Sequence, residues 1–420
     1  MNKEKLKQVI LSQKKKFLKN EKYVKREKLF EIEKMFDYEE VVIISWIRRA
    51  WKSVLLQEIM KKQKDKDYFL NFDDDRLFDF ELKDFDLLYE VFLELFWEQN
   101  IFYFDEIQNV VWWEFFVRRL YNEWKKVYIT GSNASMLSRE LWTHLTWINL
   151  KIELFPFSFG EFLKFKKFIF EKNDIYDYEK KAKLKKYFWE YLQKWWFAQF
   201  LKNDDTKFFK DLYENILYKD IIVRHKLKEE KSIKQLTNYL FSNVWKEFSY
   251  TKLKNMLWLS NANTVKEYIW FLEETYLFFE LQKFDYSLKK QIINPKKIYS
   301  IDLWFVNLLW FNFSENIWRN LENLVFIELK RRWKEIYYHK KKKECDFVVF
   351  DWQKITEAYQ VTYSLDDEET KKREIDWLLE TIKEYNLEKW TILTYDEEDD
   401  FELEWKKIEV LPIWKWMIEK

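Results

Sequence analysis

Thirteen residues, VVIISWIRRAWKS at positions 41–53, constrain the fold more than any other stretch of the chain. Four β-branched residues and a serine open it, the pattern of a strand buried on both faces. VLLQEIM, which follows from Val54, reads as a helix. Between them lies W-x-x-x-x-W-K-S, the spacing of the phosphate-binding loop G-x-x-x-x-G-K-[ST] with Trp46 and Trp51 where the glycines stand. Such a loop converges successive backbone N–H groups on a β-phosphate, which needs positive φ and no side chain in the way. The candidate nucleotide-binding set is therefore Trp46, Ile47, Arg48, Arg49, Ala50, Trp51, Lys52, Ser53 and Val54. Lys52 is placed to neutralise the β/γ-phosphates of ATP and Ser53 to bind Mg²⁺, while Arg48 and Arg49 read as structural. Two indoles in this loop oppose everything else in it.

Composition bears on that conflict. The chain has 2 glycines and 24 tryptophans in 420 residues, where average usage predicts roughly 29 glycines. The tryptophans occupy positions that want glycine. Trp124, Trp333 and Trp390 each punctuate a helix-to-strand step, where a C-cap favours glycine. Asp351-Trp352 lies between two alternating strands, where Asp-Gly makes a tight hairpin, and Trp405 sits in a second hairpin-like spot. Most tryptophans thus read as glycine, the pattern produced when UGA codons that mean glycine in the source are translated as tryptophan. Trp113, Trp414 and Trp416 read as genuine. The chain as written should bind ATP poorly, and nucleotide chemistry is expected of the glycine-bearing form.

Net charge is +1, so no global field points to nucleic acid or membrane. Charge is uneven locally: residues 1–30 hold eleven Lys/Arg against three Glu, which on its own reads as a solvated helix face. A single cysteine, Cys345, excludes a disulfide framework and fits a reducing cytosol. No run of 18 apolar residues and no signal-peptide core is present, so a cytoplasmic protein without a membrane span is expected.

Downstream of the loop, IFYFDE at residues 101–106 puts two acids at the tip of an apolar strand. Asp105 is placed to hold Mg²⁺, and Glu106 to polarise the attacking water. VYITGSN, residues 127–133, ends the next β-α unit; Asn133 or Ser132 is either a γ-phosphate sensor or a helix N-cap. NLKIELF adds a further strand. This alternation predicts a parallel sheet covered on both faces, with ligand at the carboxyl ends of its strands.

The loop, DEIQNV-x-x-WE, ITGSN, the SRELWTHLTW region and ELFPFSFGEFL together resemble the prokaryotic AAA+ ATPase family that carries a nuclease-like C-terminal domain of unknown function. The resemblance spans nearly the whole chain, and Trp195-Trp196-Phe197 matches that family's Gly-Gly-Phe once recoded. It implies a P-loop sheet with a helical lid, ATP and Mg²⁺ as ligands, and hydrolysis. Ile148 stands where the family often has arginine, which leaves Arg139, Arg118, Arg119 and Arg224 as unplaced alternatives for an arginine finger.

The expected organisation is a basic N-terminal helix (1–40), an ATPase core (41–180), a helical lid (181–229), a winged helix-turn-helix (230–290) and a restriction-endonuclease-like α/β domain (291–420). In the helix-turn-helix the second helix is not basic: Glu267, Glu273 and Glu274 offset Lys266, so interdomain packing competes with DNA reading. In the last domain Glu322 and Asp346 fit two nuclease acids, but the E-x-K positions fall on Ala358 and Gln360, and Glu357 points to the opposite face. An inactive relic is expected there. The leading reading is a Mg²⁺-dependent ATP hydrolase that moves its attached domains. Its rivals are an ATP-gated nucleic-acid-binding switch and a metal-dependent nuclease. DNA, a client protein and a second copy of the chain are candidate partners that no residue singles out.

Overall fold

A computed structural model describes residues 1–17, 23–45, 47, 51–132, 148–193, 206–303, 305–306, 317–387, 389–403 and 406–419. The chain divides into two compact units, residues 1–157 with 197–199, and residues 158–196 with 200–420.

In the first unit the described elements run α1 (Lys3–Phe17), α2 (Lys28–Glu33), β1 (Val41–Ser45), α3 (Lys52–Lys62) and β2 (Tyr68–Asn71). They continue through α4 (Asp84–Phe96), β3 (Ile101–Asp105), α5 (Trp113–Asn122), β4 (Lys126–Gly131) and β5 (Asn149–Glu153). The five strands form one sheet in the order β2-β3-β4-β1-β5, every pair parallel. Alternation sets its two faces. Val41, Ile43, Phe102, Phe104, Val127 and Ile129 meet the apolar sides of α1, α4 and α5 in one cluster. On the other face α3 packs against β3 and β4. Strands buried on both faces must be apolar throughout, which is why 41–44 and 101–104 carry no charge.

The second unit begins with α6 (Phe159–Phe165), α7 (Tyr178–Gln193), α8 (Thr206–Asn215) and α9 (Glu230–Ser242). Next come β6 (Glu247–Phe248), α10 (Tyr250–Met256), α11 (Ala262–Glu274), β7 (Phe278–Gln282), α12 (Leu288–Ile293) and β8 (Lys296–Ser300), whose strands pair antiparallel in the order β6-β8-β7. Ser249 caps α10 by accepting from Lys252 N, and Asn261 caps α11 by accepting from Asn263 N. The remainder is α13 (Ile317–Arg331), β9 (Glu335–Lys340), β10 (Glu344–Asp351), β11 (Lys354–Val361), α14 (Glu368–Tyr385), β12 (Lys389–Thr394), β13 (Asp399–Leu403), β14 (Lys406–Pro412) and α15 (Ile413–Ile418). Its six strands lie in the order β13-β14-β12-β11-β10-β9. α6 packs on α7 and α15, and the compact unit begins at Ser158. No helix among the described residues is long and apolar enough to cross a membrane.

Thirteen described residues that are not glycine have positive φ, and eight of them are tryptophan: 51, 97, 112, 124, 245, 258, 333 and 352. After α5, Lys125 N bonds Leu120 O across Trp124, and after α13, Lys334 N bonds Leu329 O across Trp333; both are the six-to-one closure of a Schellman C-cap. Trp352 turns the β10–β11 hairpin, flanked by the pair Asp351↔Lys354. Four of these rings lie mostly in solvent: Trp97, Trp124, Trp258 and Trp352 are 85%, 77%, 94% and 93% exposed. Trp113, Trp414 and Trp416, expected to be genuine, are buried. Trp390 departs from expectation. It lies inside β12 and is buried, and the left-handed cap of α14 is Asn386 instead (φ 48). Trp405 lies outside the described residues.

A left-handed backbone costs a side-chain-bearing residue about 1–2 kcal/mol. Eight such tryptophans together cost roughly 8–16 kcal/mol, the size of a domain's whole net stability. Trp258→Gly and Trp352→Gly should each raise the unfolding free energy by about 1 kcal/mol, read by urea denaturation. A loss of stability at either position would mean that its indole contributes to the fold.

Candidate functional site

The parallel order β3-β4-β1 sets the carboxyl ends of three strands side by side, with Ser45 in register with Gly131 and Asn71 of β2 in register with Asp105. The chain leaves β1, and at Trp51 the backbone is left-handed (φ 63, ψ 37) before α3 starts at Lys52. That turn aims the first residues of α3 back at the strand ends. Ser53 Oγ donates to Asp105 Oδ2 at 2.7 Å. Lys52 Nζ lies 3.3 Å from Ile47 O, to which it donates, and 3.4 Å from Glu106 Oε1.

Asp105 is wholly enclosed. Its Oδ2 also accepts from Asn71 Nδ2 at 3.0 Å, and its Oδ1 accepts from the Thr130 hydroxyl. Burial, and next the charge of Glu106, push its carboxyl up to about 6, although the bonds from Thr130 and Ser53 and the nearby Lys52 act the other way. Glu106 has a left-handed backbone (φ 52) fixed by its N–H donating to Thr130 Oγ1 at 3.0 Å. Its carboxylate accepts from Gln108 Nε2 at 2.5 Å, and the same amide reaches Ser132 Oγ at 3.3 Å. A cleft of about 1010 Å³ opens beside Ser53, Val54, Asn71 and Asp105, with Gln13 and Lys16 of α1 on its wall.

Lys52, Ser53, Asp105 and Glu106 are therefore brought together from residues more than fifty positions apart. Trp46, Arg48, Arg49, Ala50 and Asn133 lie outside the described residues, as does Arg139. Arg119 pairs with Asp86 on the exposed side of α5 at 2.5 Å, and Arg224 belongs to the other unit. Asn71, Thr130 and Gln108 were not anticipated. Thr130 carried a signal, a polar residue in an otherwise apolar strand two places before Ser132, and Asn71 closes the strand YFLN.

The sign of the Asp105 shift fixes a pH dependence. The folded carboxyl holds its proton to about 6, against 3.8 for the free group. The fold thus binds the extra proton between those values, and this group's contribution to stability falls as pH rises through them and stays low above. Asp105→Asn should abolish that fall, so the difference in urea unfolding free energy between wild type and variant should change from pH 4 to pH 6. A flat difference would mean that Asp105 titrates as an ordinary carboxyl.

Residues 38–163 match the family described as an AAA domain, and residues 196–313 match a domain of unknown function. An uncharacterized protein of Methanocaldococcus jannaschii is 36% identical over 403 residues, 90% of this chain and 88% of that protein. An uncharacterized protein of Haemophilus influenzae is 28% identical over 327 residues, 73% of this chain and 79% of that protein. Among solved structures, the replication initiator DnaA bound to AMPPCP and single-stranded DNA matches 60% of this chain and 90% of that chain, at 15% identity and a TM-score of 0.26. On its likeness over nine-tenths of the sequence, the chain belongs to the family of the Methanocaldococcus jannaschii protein, and its N-terminal region is an AAA domain.

Proposed function

We propose that the protein is a Mg²⁺-dependent ATPase, and that in its natural form most of the tryptophans, Trp46 and Trp51 among them, are glycine. The observation that carries the first part is the convergence of Lys52, Ser53, Asp105 and Glu106 at the ends of β1 and β3. Supporting the second is the left-handed backbone at eight tryptophans, one of which is the last residue of the phosphate loop. The oxygens of Ser53 and Asp105, 2.7 Å apart, are a hard donor pair suited to Mg²⁺. Ser53 and Asp105 would hold the ion there, and its positive charge would offset that of the phosphates. Lys52, which meets Glu106 in this structure, would turn to the β/γ-phosphates. Glu106 would then be free to take a proton from the attacking water, with Gln108 holding its second oxygen. Thr130 and Asn71 orient Asp105.

The second unit is read as the responding part. We read its order α9-β6-α10-α11-β7-α12-β8 as a winged helix-turn-helix, followed by an α/β layer of nuclease type. The exposed residues of α11 include Asn263, Lys266 and Glu267, a weak basis for phosphate contacts, so a protein surface is the favoured contact of this helix over DNA. In the nuclease-type layer the strand register corrects the expected motif. Ala358 is buried in the core, and the residue beside Asp346 is Gln360, whose Oε1 accepts from Asp346 N at 3.3 Å. The position two residues on is Thr362. An acid and the strand lysine are both missing, and the residues do not fit a two-acid metal site.

A chain with glycine at 46 and 51 should bind ATP with Mg²⁺ and lose affinity on Lys52→Ala. Glu106→Gln should keep binding but lower turnover by about 10²–10⁴, measured by phosphate release. Binding by the tryptophan-bearing chain as tight as by the glycine form, or undiminished turnover in Glu106→Gln, would refute the reading.

A further inference from the structure

A cleft of about 740 Å³ in the second unit is lined by Lys297, Glu322, Glu344, Asp346, Gln360 and Glu374, among others. It is the place where the nuclease-type layer would hold a divalent cation, and a lysine already stands in it. Lys297 comes not from the six-stranded sheet but from β8 of the three-stranded one. Its Nζ donates to Glu322 Oε1 at 3.1 Å and lies 2.8 Å from Glu344 Oε1 and 3.6 Å from Asp346 Oδ1. The first two are hydrogen-bond lengths and the third an ion-pair distance around a monovalent ammonium, all longer than the 2.0–2.6 Å or so of Mg²⁺ or Ca²⁺ to oxygen.

Further bonds hold the same carboxylates. Asp346 Oδ2 accepts from Val361 N at 3.0 Å, and Glu322 Oε1 accepts from Tyr299 at 2.7 Å. Glu344 Oε2 is 2.8 Å from Lys340 Nζ. Glu374 takes Arg373 at 2.8 Å on one oxygen and Gln360 at 2.8 Å on the other. Burial opposes charge on Lys297, but the carboxylates around it outweigh burial and hold it protonated; burial and Glu322 push Asp346 up. Among the described residues no group of three or more acids, histidines or cysteines is set to hold a metal.

We propose that Lys297 is a built-in cation that takes the place of the divalent metal, so that the acidic cleft works as an ionic lock between the two sheets rather than as a catalytic centre. A second fastening joins β8 to the helix that carries Glu322. Ser300 N donates to Asn323 Oδ1 at 2.8 Å, and Asn323 Nδ2 donates to Ser300 O at 2.9 Å, so the β8 main chain is tied to an α13 side chain by a pair of bonds. Removing the amine should leave Glu322, Glu344 and Asp346 facing one another without their shared cation, a charge imbalance that a divalent ion relieves.

The test is Mn²⁺ binding to the full chain by calorimetry, with no nucleotide present, so its outcome is independent of the ATPase reading. Wild type should show no Mn²⁺ uptake that Asp346→Asn removes. Lys297→Met should gain one bound Mn²⁺ per chain, lost again when Asp346→Asn is added. A folded Lys297→Met that gains none would overturn the proposal. So would wild-type Mn²⁺ binding, or Mn²⁺-dependent DNA cleavage, that disappears with Asp346→Asn. If Lys297→Met does not fold by circular dichroism, the wild-type and Asp346→Asn pair decides alone, an Asp346-sensitive site refuting the lock and its lack supporting it.

Discussion

The left-handed turn at Trp51 is the constraint on which the first unit depends. A strand that ends at Ser45 and a helix that begins at Lys52 can point the helix start back at the strand ends only if the chain reverses its twist between them. That reversal places Ser53 on Asp105 and Lys52 beside Glu106. A residue with a Cβ resists it, and here the Trp51 ring packs edge-on against Tyr23 and Phe157. The same contradiction between backbone and side chain recurs at Trp124, Trp258, Trp333 and Trp352. Their shared geometry, with the rings mostly in solvent, is what joins a local anomaly in the loop to the composition of the whole chain.

Around that turn the site is held by charge at close quarters. Asp105 and Glu106 are adjacent carboxyls in a buried place, and neither burial nor proximity favours two negative charges. The fold manages this with neutral donors, Ser53, Asn71 and Thr130 on one acid and Gln108 on the other, plus the ammonium of Lys52. A divalent cation and a triphosphate would redistribute these charges, which gives the arrangement a reason to be costly without them. The second unit meets a similar concentration of acids differently, by inserting Lys297 from a neighbouring sheet.

What was legible beforehand was whatever depends on near neighbours in sequence. Buried strands, the loop spacing, the acids at 105–106, the hairpin at Trp352 and the helix pair 250–256 and 262–274 all follow from local period and capping. What escaped needed the sheet order. Asn71 reaches Asp105 because β2 lies beside β3, and Thr130 because β4 does. The boundary at Phe157/Ser158 depends on α6 meeting α15, some 250 residues away along the chain. Which β11 residue lies across from Asp346 also escaped local counting, because the β10–β11 pairing shifts between Val349 and Phe350. Trp390 was misread because the cap it was assigned belongs to Asn386, four residues earlier.

If peptide without side chains, not indole, bounds the loop between β1 and α3, then peptide mass spectrometry of the protein purified from its own source, over the segment that contains positions 46 and 51, should find glycine at both positions. Tryptophan at either, in a protein that binds ATP at this site, would contradict it.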